Sequence, residues 1–280
     1  MSADGWRAAT GEDLAALVAL ILPVEWSCVT FTSHLDSRDY ETVEVHQSGA
    51  RITEALMMAP HGLVLPVLSA SSPSLPAGLF RRLPSGITIM GEEPSVSYTE
   101  RHIGRPPGRA VSYHLMKIPA PIGPGSAGGQ AGASVPPGLL VRRAVLSDLS
   151  GLYPLQRDYE KEEVLLDPAV HVPRLCRANL RRALRDQILY VAELGGAAVA
   201  KAGTNARGRG YDQIGGVYTV PALRNRGLGR AVMVELLRRI AAEGKGACLF
   251  VKRTNEPAVA LYRQLGFEIT GGFRISYYLG

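Results

Sequence analysis

The stretch Val220 to Arg239, "VPALRNRGLGRAVMVELLRR", constrains this chain more than any other part of it. It follows an apolar, strand-like run, "YDQIGGVYTV", and passes through a proline and an Arg- and Gly-rich loop into a helical pattern. Leu228, Val232, Leu236 and Ile240 recur at every fourth position and form a face to be buried on a sheet. A helix start leaves backbone N–H groups unpaired and carries partial positive charge. Gly227 and Gly229 let an anion approach those groups, and Arg224, Arg226 and Arg230 add charge, so the loop suits a pyrophosphate. Two familiar phosphate loops are excluded. Gly-x-x-x-x-Gly-Lys-Ser/Thr is absent. Val232 replaces the third glycine of a dinucleotide fingerprint, and the next strand ends in Lys252-Arg253 instead of a ribose-binding carboxylate.

A second feature divides the chain. "PAPIGPGSAGGQAGASVPPG", Pro119 to Gly138, has almost no charge and nothing to bury, so it cannot offset its own ordering entropy and reads as a linker. The expected organisation is an N-terminal α/β domain over 1–118, a linker over 119–138 and a second domain over 139–280. The second half reads β-α-α-β-β-β-α-β-α-β. Ser147 is expected to cap its first helix, Gly195-Gly196 to turn a hairpin, "NARGRG" to form a second turn, and Gly244 to close the Leu228 helix. In the first half "GEDLAALVALIL" reads as a helix, and "EWSCVTFT", "GARITEALMM", "GLVLPVLS" and "RAVSYHLMKI" read as strands. Glu93-Pro94, Tyr98 and Gly104 loosely echo Glu256-Pro257, Tyr262 and Gly266, which suggests a duplicated unit.

Composition sets the outer limits. Of the 280 residues 46% are hydrophobic and 20% charged, which requires a real core and excludes a disordered tail. The net charge of +6 is mild and fits an anionic ligand without requiring nucleic acid, and no nucleic-acid partner is expected. The apolar run Leu14 to Val24 is too short to span a bilayer, and no secretory signal opens the chain. Cys28, Cys176 and Cys248 are far apart and lack metal-ligand spacing; they read as buried thiols of a reducing, cytoplasmic compartment.

In the second half, Val217-Tyr-Thr-Val220-Pro221 followed by Arg224-Asn-Arg-Gly227-Leu-Gly229, and then Asn255, Tyr262 and Gly266-Phe267, resembles the GNAT superfamily of acyl-CoA-dependent N-acyltransferases. The resemblance covers Leu139 to the C-terminus. It implies an α/β fold with a mixed, mostly antiparallel sheet flanked by helices, and acetyl-CoA as co-substrate without a metal. By that resemblance the strands "YDQIGGVYTV" and "ACLFVK" splay to admit the pantetheine arm, which pairs with the backbone of Tyr218, Thr219 and Val220 like an added strand. The loop of Arg224, Asn225, Arg226, Gly227, Leu228, Gly229 and Arg230 holds the pyrophosphate, and Asn255 and Tyr262 lie near the thioester.

The chemistry implied is attack of a primary amine, from a small molecule or a peptide, on the acetyl carbonyl. A carboxylate or a water it orients takes the amine proton. Asp212, Glu160, Glu162 and Glu163 are the candidates, with Asp212 placed first. A backbone N–H near Val220 would hold the oxyanion, and Tyr262 would protonate the leaving thiolate. Arg174, Arg181 and Arg185 share a helical stripe, either a solvated face or a site for an acidic acceptor. His171 is the sole histidine of this half, which gives a triad or metal site little support. The first half lacks Arg-x-x-Gly-x-Gly; "LSASSPSLPAG" stands in its place. As a second unit it would be degenerate, unable to bind coenzyme A there, and free to wall the acceptor pocket or to mediate a homodimer. An acyl-CoA-sensing protein without turnover is the alternative reading. An aminoacyl-tRNA-dependent transferase would not need the intact loop.

Overall fold

A computed structural model describes residues 5–69, 72, 74–76, 78–82, 86–120, 122, 136–165 and 167–278. The first half runs β1 (Gly5–Ala8), α1 (Leu14–Ile21), α2 (Glu25–Ser37), β2 (Thr42–Ser48), β3 (Arg51–Ala59), β4 (Leu63–Val67), β5 (Ile87–Glu92), α3 (Glu93–Ile103) and β6 (Arg109–Ile118). The second runs β7 (Leu140–Arg143), α4 (Leu149–Tyr159), α5 (Pro173–Asp186), β8 (Leu189–Leu194), β9 (Ala197–Arg207), β10 (Tyr211–Thr219), α6 (Leu228–Ala241), β11 (Gly246–Lys252), α7 (Glu256–Gln264) and β12 (Glu268–Tyr278). Most of the linker proposed over 119–138 lies outside the described residues.

Among the described residues twelve strands form one sheet in the order β1-β2-β3-β4-β5-β12-β6-β11-β10-β9-β8-β7. Neighbours are antiparallel except β4–β5 and β10–β11, one parallel pair in each half. The halves exchange their last strands: β12 lies between β5 and β6, and β6 lies between β12 and β11. Glu92, Phe273, Tyr113 and Lys252 therefore fall in one row across the middle of the sheet. The ring of Phe250 stacks on Phe273 at 4.4 Å and meets Tyr113 edge-on at 5.2 Å, joining residues of both halves in one aromatic cluster.

The second half forms its elements for the reasons its pattern suggests. Leu228, Val232, Leu236 and Ile240 are buried in the core formed by α6 with the central strands. Gly244 has φ +73°, the left-handed conformation a helix terminator needs. Three local expectations change. Ser147 does not cap α4; the Asp148 carboxylate accepts the Val145 N–H at 2.8 Å and is gripped by Arg142 at 2.7 Å. β9 extends through Asn205 to Arg207, so the turn shrinks to the residues between Arg207 and Tyr211. In the first half, "EWSCVTFT" is helical, the start of α2. Its β-branched and aromatic residues favour a strand locally, but Glu25, Val29 and Thr32 are buried on a helical face. Glu25 is fully buried, and its carboxylate accepts the amides of Arg209, Gly210 and Tyr211 at 2.6–3.0 Å. The α2 helix is thus fixed to the β9–β10 turn of the other half.

The apolar stretch is longer than the run Leu14 to Val24: by length and composition the helical segment Gly11–Ser37 could cross a membrane. Here it is broken into α1 and α2, with Leu17, Ile21, Phe31 and Leu35 packed in the first-half core.

Candidate acyl-transfer site

Strands β10 and β11 pair only over Tyr211–Gln213 and Gly246–Cys248. Beyond that they diverge, with a register shift in β10 between Gly215 and Tyr218 and Gly216 at φ +63°. The loop after β10 places Asn225 at φ +62° and Gly227 at φ +74°. The first bond into α6 runs from Ala231 N to Gly227 O at 2.9 Å, so the amides ahead of it face out of the helix start. A Cβ at Gly229 would lie 3.3 Å from Thr219 Oγ1, so this glycine allows the loop to close on the strand. A helix start, a left-handed glycine and three arginines stand beside a gap in the sheet. That arrangement fits an elongated ligand with an anionic end.

The ladder decides which backbone groups face the gap. Val220 N donates to Val199 O at 2.9 Å, so the Val220 amide expected to hold an oxyanion is already committed to β9. Antiparallel residues alternate between facing toward and away from the neighbouring strand. With Val220 turned to β9, the Thr219 amide and carbonyl turn to the gap; the Thr219 carbonyl accepts Arg224 Nε at 3.1 Å.

A short π-helical segment, Glu160–Val164, bridges the two diverging strands. Glu162 accepts Tyr218 Oη at 2.6 Å on one carboxylate oxygen and pairs with Arg224 at 2.6 Å on the other. That pairing holds the Glu162 carboxyl below its usual range against the opposing effect of burial, while burial and the Glu162 charge push Tyr218 up to about 12. Glu163 pairs with Lys252 Nζ at 3.1 Å and accepts Asn255 Nδ2 at 3.4 Å. Glu160 turns inward, where Gln156 Nε2 donates to it at 3.0 Å.

Beneath the segment lies Lys201, only 1% exposed. Its Nζ donates to Gly216 O at 2.8 Å and sits 4.6 Å from the Tyr159 ring centre. Burial pushes its ammonium down to about 7, partly offset by the Glu160 charge. Sequence spacing gave no metal set, yet the fold brings ligand atoms of Glu160, His171 and Cys176 within 4.8 Å of one another. Lys201 and Cys176 both interact with Glu160, while the buried His171 Nε2 lies 3.7 Å from Glu160 Oε2 without a hydrogen bond. Lys201 itself was missed in the sequence. Its signal is a single lysine inside the apolar run "AAVAKAGT".

Tyr262 projects from α7, buried, with its ring edge-on to Phe267 at 5.9 Å. Burial, with the nearby Tyr159 and Glu163, keeps its phenol protonated far above neutral pH. Asn255 is the N-cap of α7, its Oδ1 accepting Ala258 N at 3.2 Å. Asp212 belongs elsewhere. It is fully buried at the closed end of the β10–β11 pair and held by Arg207 at 3.2 Å and Lys245 at 3.1 Å. A carboxylate locked between two cations, at the other end of β10 from Tyr218, is not the base. Arg174, Arg181 and Arg185 are exposed on α5, opposite its buried Cys176, Leu180 and Leu184, as a solvated face.

The FR47-like protein family model matches residues 196–274, which contain the splayed strands, the loop and Tyr262. A curated relative, the N-alpha-acetyltransferase RimI of Mycobacterium tuberculosis, is 39% identical over 90 residues, 31% of this chain and 55% of that protein. Residues 196–274 are thus similar in sequence to GNAT-type acetyltransferases. The chain spans about half the length of that curated relative. The whole chain is also similar in fold to solved structures. A tandem GNAT protein from the clavulanic acid biosynthesis pathway matches with a TM-score of 0.57 at 14% identity, covering 98% of each chain. A GCN5-related N-acetyltransferase-like protein from Streptococcus suis matches with a TM-score of 0.60 at 13% identity, covering 96% of this chain and 100% of that one. The GNAT fold thus extends over both halves.

Proposed function

We propose that the chain transfers an acetyl group from acetyl-CoA to a primary amine of a small molecule or a peptide, and that the second half carries the chemistry. The observation that carries this reading is the divergence of β10 and β11 beside the Arg224–Arg230 loop. The loop amides, with Arg226 and Arg230, suit the pyrophosphate; Arg224 would exchange its Glu162 partner for the ligand. The outward Thr219 carbonyl suits the pantetheine arm as an acceptor along the strand edge.

The amine must be neutral to attack. Glu163, at the gap mouth and near Tyr262, is the base in this reading, directly or through a water. The Thr219 amide is the donor for the oxyanion. Tyr262, kept protonated by burial, gives its proton to the leaving thiolate. The test is release of free thiol from acetyl-CoA with a panel of primary amines, alongside calorimetric binding. Amine-dependent release that falls in Tyr262→Phe while binding persists supports the proposal. Binding without release on any amine would favour an acyl-CoA sensor, and absence of binding would overturn both readings.

A further inference from the structure

The first half repeats the strand divergence but has rebuilt it. β4 and β5 pair in parallel only at Leu63–Thr88 and Val64–Ile89. Past Val67 the backbone is not open to an added strand: Ser95 Oγ donates to Leu68 O at 2.6 Å and accepts from Leu68 N at 3.3 Å. Tyr98, one residue nearer the Glu-Pro start of its helix than Tyr262 is to its own, gives its hydroxyl to Ser72 O at 2.8 Å. What remains is a cavity of about 190 Å³ between α1, α2, β4 and the start of α3.

Two carboxylates line it. Glu92 occupies the position before Glu93-Pro94 that Asn255 occupies before Glu256-Pro257. It is half-buried, and burial raises its carboxyl, with no hydrogen-bond donor or cation to it among the described residues. Among the described residues Glu54, 7% exposed, accepts only neutral donors, Ser69 N at 2.9 Å and Ser69 Oγ at 3.0 Å. Among the described lining residues there is no Lys, Arg or His. Desolvated carboxylates without a cation are costly, and a cationic ligand would relieve that cost. Phosphate would be repelled. A hard metal ion wants an all-oxygen shell, whereas Leu20, Val24, Pro66 and Val67 make much of this wall apolar. The volume is below the roughly 300 Å³ at which drug-sized sites begin.

We infer that this cavity binds a small aliphatic primary amine, with Glu92 as its counter-ion and Glu54 as a second acceptor, at a site separate from the acyl-transfer site. Glu92 lies three strand spacings from Lys252, about 14 Å across β12 and β6. The inference does not depend on catalysis in the second half.

The test is calorimetric titration of the full chain, without acetyl-CoA, with n-butylamine and 1,4-diaminobutane, and with 1,4-butanediol as neutral counterpart. Saturable one-to-one binding of an amine but not of the diol is expected. Glu92→Gln should weaken it at least tenfold. So should Thr53→Lys, which places a competing ammonium at the exposed mouth. Glu163→Gln and Gly227→Glu should leave it unchanged. Thermal melts matching the parent chain guard against misfolding. The inference fails if neither amine saturates. It fails equally if binding ignores Glu92→Gln and Thr53→Lys but drops in Glu163→Gln, which would place the amine at the transfer site. Displacement of the amine by micromolar calcium would overturn the ligand class.

Discussion

Near the start of the first half, Arg7 grips Asp13 at 2.7 Å and the Thr10 amide closes on the same carboxylate. Near the start of the second, Arg142 grips Asp148 at 2.7 Å and the Val145 amide does the same. The spacings are identical in the two halves. Glu-Pro opens both α3 and α7, and glycines at φ +78° and +92° follow both helices. The halves share their framework contacts and differ at the strand divergence. In the second half the gap is open toward an Arg- and Gly-rich helix start and faces an unbonded tyrosine. In the first, Ser95 bonds the backbone at Leu68, Tyr98 is bonded, and Glu92 stands where the second half has Asn255. The two halves thus keep equivalent framework contacts while the polar residues at their strand divergences differ in charge.

The sharpest way to break the comparison is at the helix start. Gly227→Glu places a side chain at a left-handed residue and a negative charge where the anion should sit. Acetyl-CoA affinity, measured by calorimetry, should fall at least about 100-fold. Equal binding by this variant would mean that the second-half loop is not the anion site.

The seam between the halves comes next. Glu25 brings a buried charge from the first half to three amides of the second. Glu25→Ala leaves those amides without their acceptor and should cost about 3 kcal/mol in urea unfolding. Unfolding as two separate transitions would show that the exchanged strands alone do not couple the halves.

The paired tyrosines sharpen the comparison at a smaller scale. Tyr262→Phe should lower kcat about 10- to 100-fold with little change in the KM for acetyl-CoA. Tyr98→Phe should leave kcat unchanged and cost about 1 kcal/mol of stability through the lost bond to Ser72. Equal loss of kcat in both would mean that Tyr262 supports structure only.

These contrasts show where sequence was informative. The strand, loop and helix from Tyr211 to Ala241 were legible because period and turn chemistry agree there. The helix α2 was not: its local propensity points to a strand, and the deciding contact of Glu25 is with residues over 180 positions away. Asp212 looked catalytic because it sits on the right strand, but alternation cannot say which end of a strand is closed. Which amide near Val220 faces the gap depends on register with β9, which local sequence does not show. The exchange of β6 and β12 leaves no local pattern at all.

A pH-dependent effect follows from a difference between β3 and β9. The inner part of β3, Ala55 to Ala59, is wholly apolar, whereas β9 carries Lys201 into the same kind of environment. Burial holds the folded Lys201 ammonium down to about 7, against about 10.4 in an unfolded chain. Between those values the unfolded state binds one more proton, so wild-type stability rises with pH there; below about 7 both states are protonated and the penalty is fully present. Lys201→Met has no such group. It should be more stable than wild type near pH 7, and its advantage should shrink by about 1 kcal/mol per pH unit as the pH is raised toward 10. Urea unfolding of the two proteins at pH 7, 8 and 9 measures this, and other titrating groups cancel in the difference. A constant gap would mean that Lys201 keeps its ordinary basicity, with Glu160 and the Tyr159 ring stabilising its charge as well as water does.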